Sequence, residues 1–201
     1  MHARGGSAAA SGTLYDATMT VDPASLKIQL YPASILRERC EPVTYTDNVR
    51  AVAQRMVEMM YKADGVGLAA PQVGLPWMLF VADVPEDEGR SSETTPPSAS
   101  RGAEVFINPE IVGTAGIPEP MAEGCLSLPG VLGEVFRPPT VTIRALDLEG
   151  NPFERTATGL LGRCYLHEYD HLTGVLILDK MDDRELRKNK TLISSLERRA
   201  K

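Results

Sequence analysis

The pentapeptide HEYDH, residues 167–171, constrains this chain more than any other stretch. The 201 residues hold three histidines, and two of them stand here, four apart, with Glu168 between. On an α-helix, positions i and i+4 share a face about 6 Å apart along the axis, so both imidazoles can address one ion. Glu168 is offset around such a helix. It can reach a water beside the ion without being a ligand. The fold must then provide a helix here and bring a further ligand from another segment. The competing reading is two unrelated histidines and a chance glutamate, because H-E-x-x-H is a short pattern.

The third ligand discriminates among metal-site classes. A metzincin has another His six positions after the second, where this chain has Ile177. A thermolysin-like site takes a downstream Glu, but Glu185 and Glu197 both fall in a basic terminal segment. Cys164 shares the helix stripe, and three side chains along one straight helix cannot converge tetrahedrally. Cys40, in LRERCEPV, has no special surroundings. Cys125, in EGCLSLPG, is flanked by glycine and a Pro-Gly pair that let the backbone bend closely. A thiolate with two imidazoles suits Zn²⁺ or Fe²⁺ and leaves a fourth position open, the mark of a catalytic site. Free cysteine is also a common buried small hydrophobe, which is the bland reading of Cys125.

A third segment, GVGLAAPQVG at 65–74, fails the G-x-G-x-x-G phosphate-loop pattern because position 70 is Ala. It reads better as a substrate-lining strand. Gly67 and the Ala pair leave room, and the Gln72 amide can donate to a developing oxyanion.

Around these segments the patterning predicts an α+β fold: mixed or antiparallel strands around a central H-E-x-x-H helix, with a C-terminal helix. Residues 1–25 are small, polar and aperiodic and read as a flexible tail without a secretory h-region; an organelle transit peptide is an alternative reading. Residues 26–201 form one catalytic domain. KIQLY (27–31) is a candidate strand, and a helix is expected from Asp47 to Ala63 with Thr46 or Asp47 as N-cap. Strands are expected at 77–84, at EVFIN and in TVTIRALDLEGN, where Val141, Ile143 and Ala145 alternate. Residues 85–103, rich in Ser, Pro, Glu and Thr, read as a mobile surface insertion. The H-E-x-x-H helix spans Gly159–Leu172 with Thr158 as N-cap, and a last helix covers 183–200.

Net charge is −6, which argues against a generally basic nucleic-acid binder, and no DNA partner is expected. No apolar run approaches the ~18 residues of a membrane helix, so no membrane partner is expected. Three irregularly spaced cysteines are not a disulfide framework and point to a reducing compartment. Residues 184–201 carry +5 of that −6 total, leaving −11 on the rest. A basic helix on an acidic body suits a polyanionic partner or is simply a solvated basic face.

Together and in this order, GVGLAAPQ, EGCLSLPG and HEYDHLTG resemble the three signature motifs of the peptide deformylases, with similarity from about Lys27 to the C-terminal helix. The resemblance implies a hydrolase that removes the formyl group from N-formylmethionyl nascent chains and releases formate. It implies Cys125, His167 and His171 as ligands of one divalent ion, most often Fe²⁺, with Zn²⁺, Ni²⁺ or Co²⁺ as substitutes. Glu168 becomes the general acid/base, and Gln72 and the Leu126 N–H the oxyanion donors. Gly67 lies where relatives pair with the peptide backbone. Val66, Met121, Leu160, Arg163 and Cys164, with His167, match the methionine pocket, and Glu123 and Arg137 match a structural ion pair. The helical C-terminus resembles that of bacterial members that dock on the ribosome. A monomer in the bacterial cytoplasm is expected, or in an organelle if the tail is a transit peptide. The chain departs from the family pattern at Leu166, where Gln is usual, at Gly162, where Ala is usual, and at Leu132, where many members have Arg. Three rival readings are a general metallopeptidase or amidase, a structural-zinc module, and an inactive relative kept for interaction.

Overall fold

The computed structural model describes residues 20–199. Helix α1 (Asp47–Lys62) is followed by β1 (Gly67–Ala69), β2 (Leu79–Ala82) and β3 (Glu104–Ala115). Then come β4 (Glu119–Gly124), β5 (Leu132–Arg137), β6 (Thr140–Leu146) and β7 (Pro152–Thr158). Helices α2 (Gly159–Leu172), α3 (Ile177–Lys180) and α4 (Asp183–Arg199) close the chain. Strands β1-β2-β3-β6-β7 form a five-stranded sheet in that order, and β4 pairs only with β5. Every ladder between the named strands is antiparallel, and one isolated parallel bridge joins Glu41 to Trp77.

The period-two alternation of a strand explains the layering. On β2, Leu79 and Val81 point to a cluster with Val49, Val52, Ala53, Met56 and Met60 of α1. Phe80 and Ala82 point the other way, to Val141, Ile143 and Ala145 of β6 and to Leu161, Cys164 and Tyr165 of α2. The sheet therefore lies between α1 and α2. Strand β2 is buried on both faces, so it reads as an unbroken apolar run. A third cluster joins Leu128, Val131 and Val135 to Ile177, Leu178, Met181 and Leu196, and seats α3 and α4 against β5.

Thr46 caps α1, its Oγ1 accepting from the Val49 N–H at 3.2 Å. Helix α2 has the expected bounds and Thr158 stands at its N-cap position, but the side chain makes no capping hydrogen bond. The Thr158 hydroxyl instead donates to Pro139 O at 3.0 Å, tying the helix entry to the β5–β6 turn. The departure at position 162 has a steric cause: a Cβ on Gly162 would lie 2.9 Å from Ala157 O and 3.3 Å from Pro139 O.

Three expectations change. Residues 27–31 form no strand. The Gln29 N–H donates to Gln72 O at 2.8 Å and the Tyr31 N–H to Ser127 O at 2.9 Å, so alternate donors serve two different segments rather than one ladder. Residues 21–25 belong with the domain rather than the tail: the Val21 N–H and carbonyl pair with the Asn48 side chain at 2.9 and 2.7 Å. The rest of the tail reading, residues 1–19, lies outside the described residues, as do positions 200 and 201. The 85–103 segment is at the surface but pinned, against the expectation of mobility. Its Ser100 Oγ accepts from the Val84 N–H at 2.8 Å, Pro97 O accepts from the Thr158 N–H at 2.9 Å, and Ala99 and Ser100 are buried. Its serines supply the local hydrogen bonds that an apolar core would otherwise replace.

Candidate metal centre

Helix α2 is buried around most of its circumference and carries His167, Glu168 and His171 through the middle of the molecule. One turn apart, the two imidazoles meet edge to face with centroids 5.0 Å apart. Strand β4 ends at Gly124, and the turn after it delivers Cys125 to the same place, with Sγ 3.3 Å from His171 Nε2. One ligand atom from each of Cys125, His167 and His171 lies within 4.8 Å of the other two. A soft sulfur and two imidazole nitrogens in this arrangement fit a borderline divalent cation. Cys164 is elsewhere: its thiol donates to Val66 O at 3.2 Å, and burial pushes its pKa well up. Cys40 is also buried, which raises its thiol to about 12.

The His167 ring is fixed from behind. Its Nδ1 lies 2.9 Å from Glu123 Oε2, which sets the ring's orientation and leaves Nε2 for the cation. Glu123 also accepts from Arg137 Nε and Nη2 at 2.7 and 3.0 Å and from Arg163 at 2.8 Å. Burial alone would raise the Glu123 pKa, but the bonds from His167 and Arg137 outweigh it and hold it near 2. Two buried guanidiniums against one carboxylate leave a positive charge over. Asp170 supplies the balance, 2.7 Å from Arg137 Nη1. Nothing in the pentapeptide itself singles out Asp170, which Lys180 also approaches at 3.5 Å.

A cavity of about 440 Å³ opens onto the cluster, lined by Val66, Gly67, Gln72, Leu126, Leu160 and Cys164 among others. Arg163 lines it too, but its guanidinium is engaged by Glu123, Val135 O and Glu119 O, so it is a fixed wall. Met121 does not line this cavity. It borders a neighbouring hollow shared with Asp87, Arg90, Ser98 and Leu160, the last of which also lines the catalytic cavity. Leu166 packs among apolar residues of the sheet–α2 layer, so packing takes the place of the hydrogen bond a Gln would make.

Glu168 lies against β1. A Cβ on Gly67 would be 2.2 Å from Glu168 Oε1, so only glycine admits the carboxylate here. Glu168 Oε2 is buried and has no hydrogen-bond partner among the described residues. Burial lifts its pKa to about 7, against the pull of His167 and Arg137. Gln72 is aimed by its neighbour: Oε1 accepts from the Ala69 N–H at 2.7 Å, which turns Nε2 toward Cys125 Sγ at 3.4 Å and Ser127 Oγ at 3.3 Å. Ser127 is fully buried and was not singled out in the sequence, although it lies within EGCLSLPG. The Leu126 N–H finds no acceptor among the described residues. Strand β1 is an edge strand, and its Gly67 forms part of the cavity wall.

A buried H-E-x-x-H helix joined by a cysteine from a separate turn defines a class of single-ion hydrolytic sites. The polypeptide deformylase family model matches residues 25–187. A peptide deformylase from Synechococcus sp. is 43% identical over 162 residues, 80% of this chain and 76% of that protein. The chloroplastic/mitochondrial peptide deformylase 1B of Arabidopsis thaliana is 38% identical over 87% of this chain and 60% of its own length. The crystal structure of peptide deformylase from Ehrlichia chaffeensis superposes with a TM-score of 0.78 at 31% identity, over 87% of this chain and 96% of that one. The chain belongs to the polypeptide deformylase family. Its activity is the hydrolysis of the formyl amide on N-terminal formylmethionine, a metal-dependent reaction throughout the family.

Proposed function

We propose that Cys125, His167 and His171 hold the catalytic divalent ion, Fe²⁺ in the native enzyme with Zn²⁺, Ni²⁺ or Co²⁺ as substitutes, and that Glu168 moves the proton. The observation that carries this reading is the convergence of three ligand atoms within 4.8 Å beside a buried carboxylate oxygen that has no partner among the described residues. When bound there, the ion would supply Lewis acidity and lower the pKa of a water beside it. Glu168 takes the proton of that water and returns it to the leaving amine nitrogen as the C–N bond breaks. A carboxyl lifted to about 7 by burial is suited to both directions of transfer. The Leu126 N–H and Gln72 Nε2 donate to the formyl oxygen as charge develops on it. Val66, Leu160, Cys164 and the wall of Arg163 receive the methionine side chain, and the free edge at Gly67 pairs with the peptide backbone.

The natural substrate is the formylated start of a nascent chain. Helix α4 buries Glu185, Asn189 and Leu196 and exposes Arg184, Arg187, Lys188, Lys190, Arg198 and Arg199, a basic face suited to ribosomal RNA. No helix among the described residues is long and apolar enough to cross a membrane. We assign a monomer working in the bacterial cytoplasm. The organelle named for the Arabidopsis relative is the second reading.

Formate release from formyl-Met-Ala, measured beside acetyl-Met-Ala and Met-Ala on anaerobically purified protein with elemental analysis, tests the assignment. Only the formyl amide should be cleaved. Glu168→Ala should retain the ion and lose nearly all turnover; an active variant would refute its role.

A further inference from the structure

Two exposed leucines lie against glycines of the catalytic cavity's wall. Leu132, at the start of β5, is 63% exposed, and Leu192, on α4, is 43% exposed. Each covers a glycine of the cavity wall. A Cβ on Gly124 would lie 3.0 Å from Leu132 Cδ2, and one on Gly130 would lie 3.8 Å from Leu192 Cδ1. Gly124 and Gly130 both line the cavity and present no side chain of their own. The rim surface at these points is therefore leucine. The two elements are also tied together, since buried Asn189 of α4 donates to Leu132 O at 2.7 Å.

We infer that Leu132 and Leu192 form an apolar rim that selects formyl-peptides with apolar side chains downstream of the formylmethionine. The inference rests on the proposed placement of the methionine in the adjoining cavity. The occupant follows from continuity: a peptide whose first side chain fills the cavity must leave past the cavity's own wall, where Gly124, Gly130 and their leucine covers lie. Helix α4 then adds Leu192 to the substrate path, separately from its basic residues.

The test compares kcat/KM for formyl-Met-Leu-Leu-Leu and formyl-Met-Ser-Ser-Ser. The unaltered chain should prefer the leucine peptide by about tenfold, through KM, the scale of burying one apolar side chain. In L132S/L192S the preference should fall below about threefold. An unchanged preference in that variant, or none in the unaltered chain, overturns the inference. A melting curve checks folding, and L132A/L192A replaces the serine variant if it does not fold. Sedimentation covers the other occupant: a dimer that L132S/L192S dissolves, with the peptide preference unmoved, also overturns it. Formyl-Met-Ala separates the two levels. No formate from it would sink the site assignment, whereas turnover of it without any leucine preference would sink only the rim.

Discussion

Gly67→Ala sets stability and turnover against each other. The added methyl would lie 2.2 Å from Glu168 Oε1, 2.7 Å from Cδ and 2.8 Å from Cγ. Comfortable carbon contacts begin at about 3.5 Å, so the carboxylate must move by about 1 Å or more. It is the end of a side chain beside a cavity, and so it can swing away while the backbone holds. A displacement of that size costs on the order of a hundredfold in rate when the group transfers the proton. The fold responds oppositely, because alanine in a strand is favoured over glycine by about 0.5–1 kcal/mol before any clash. The expected result is kcat down about a hundredfold, ion content unchanged, and a Tm within about 5 °C of the parent. Formate release with elemental analysis and calorimetry reads all three. The double variant G67A/E168A supplies the control: if G67A acts through Glu168, it adds nothing to E168A. A G67A enzyme within about threefold of the parent rate, or fully additive losses in the double variant, would refute the reasoning.

Cys125→Ala should lose the ion, whereas Cys125→Asp keeps one with poor activity, because carboxylate is a harder ligand; full stoichiometry and rate in Cys125→Ala would exclude it as a ligand. Glu123→Gln leaves Arg137 and Arg163 short of a charge and frees the His167 ring. It should weaken ion binding about 10–100-fold, read by competition with a chelating dye, and destabilise the chain by about 3–5 kcal/mol in urea. In chelated protein at pH 8, iodoacetamide should label Cys125 alone, because burial raises the Cys40 thiol to about 12 and the Cys164 thiol well up. Labelling of Cys40 before unfolding, seen by peptide mass mapping, would contradict its burial.

Strong periodicity made α1, α2 and α4 legible, since each carries enough turns to repeat its stripe, whereas the four residues of α3 do not. The α1 stripe of Val49, Val52, Ala53, Met56 and Met60 is the one found buried. Residues 27–31 misled because an apolar alternation fits both a ladder and a thread bonded to two segments, and only tertiary contacts separate them. The convergence of Cys125 with the two histidines was foreseeable from the separate segments. The aim of Gln72 was not, because it depends on a backbone N–H three residues away that the 3₁₀ turn after β1 brings round. Met121 borders the adjoining hollow because it stands farther along β4 from Cys125 than Ala122, Glu123 and Gly124, a placement that no sequence pattern gives.

The brevity of β1 sets how long a peptide stays. Three residues at a free edge can offer an extended chain only about two or three backbone hydrogen bonds, each worth roughly 1 kcal/mol net. Such a ladder aligns a chain end without retaining it. On the proposed placement, most of the residence time would come from the side chain in the cavity, and the deformylated product would leave from nearly the same weak hold. On the proposed pairing, only a chain end that is free to extend along Gly67–Ala69 can use this edge.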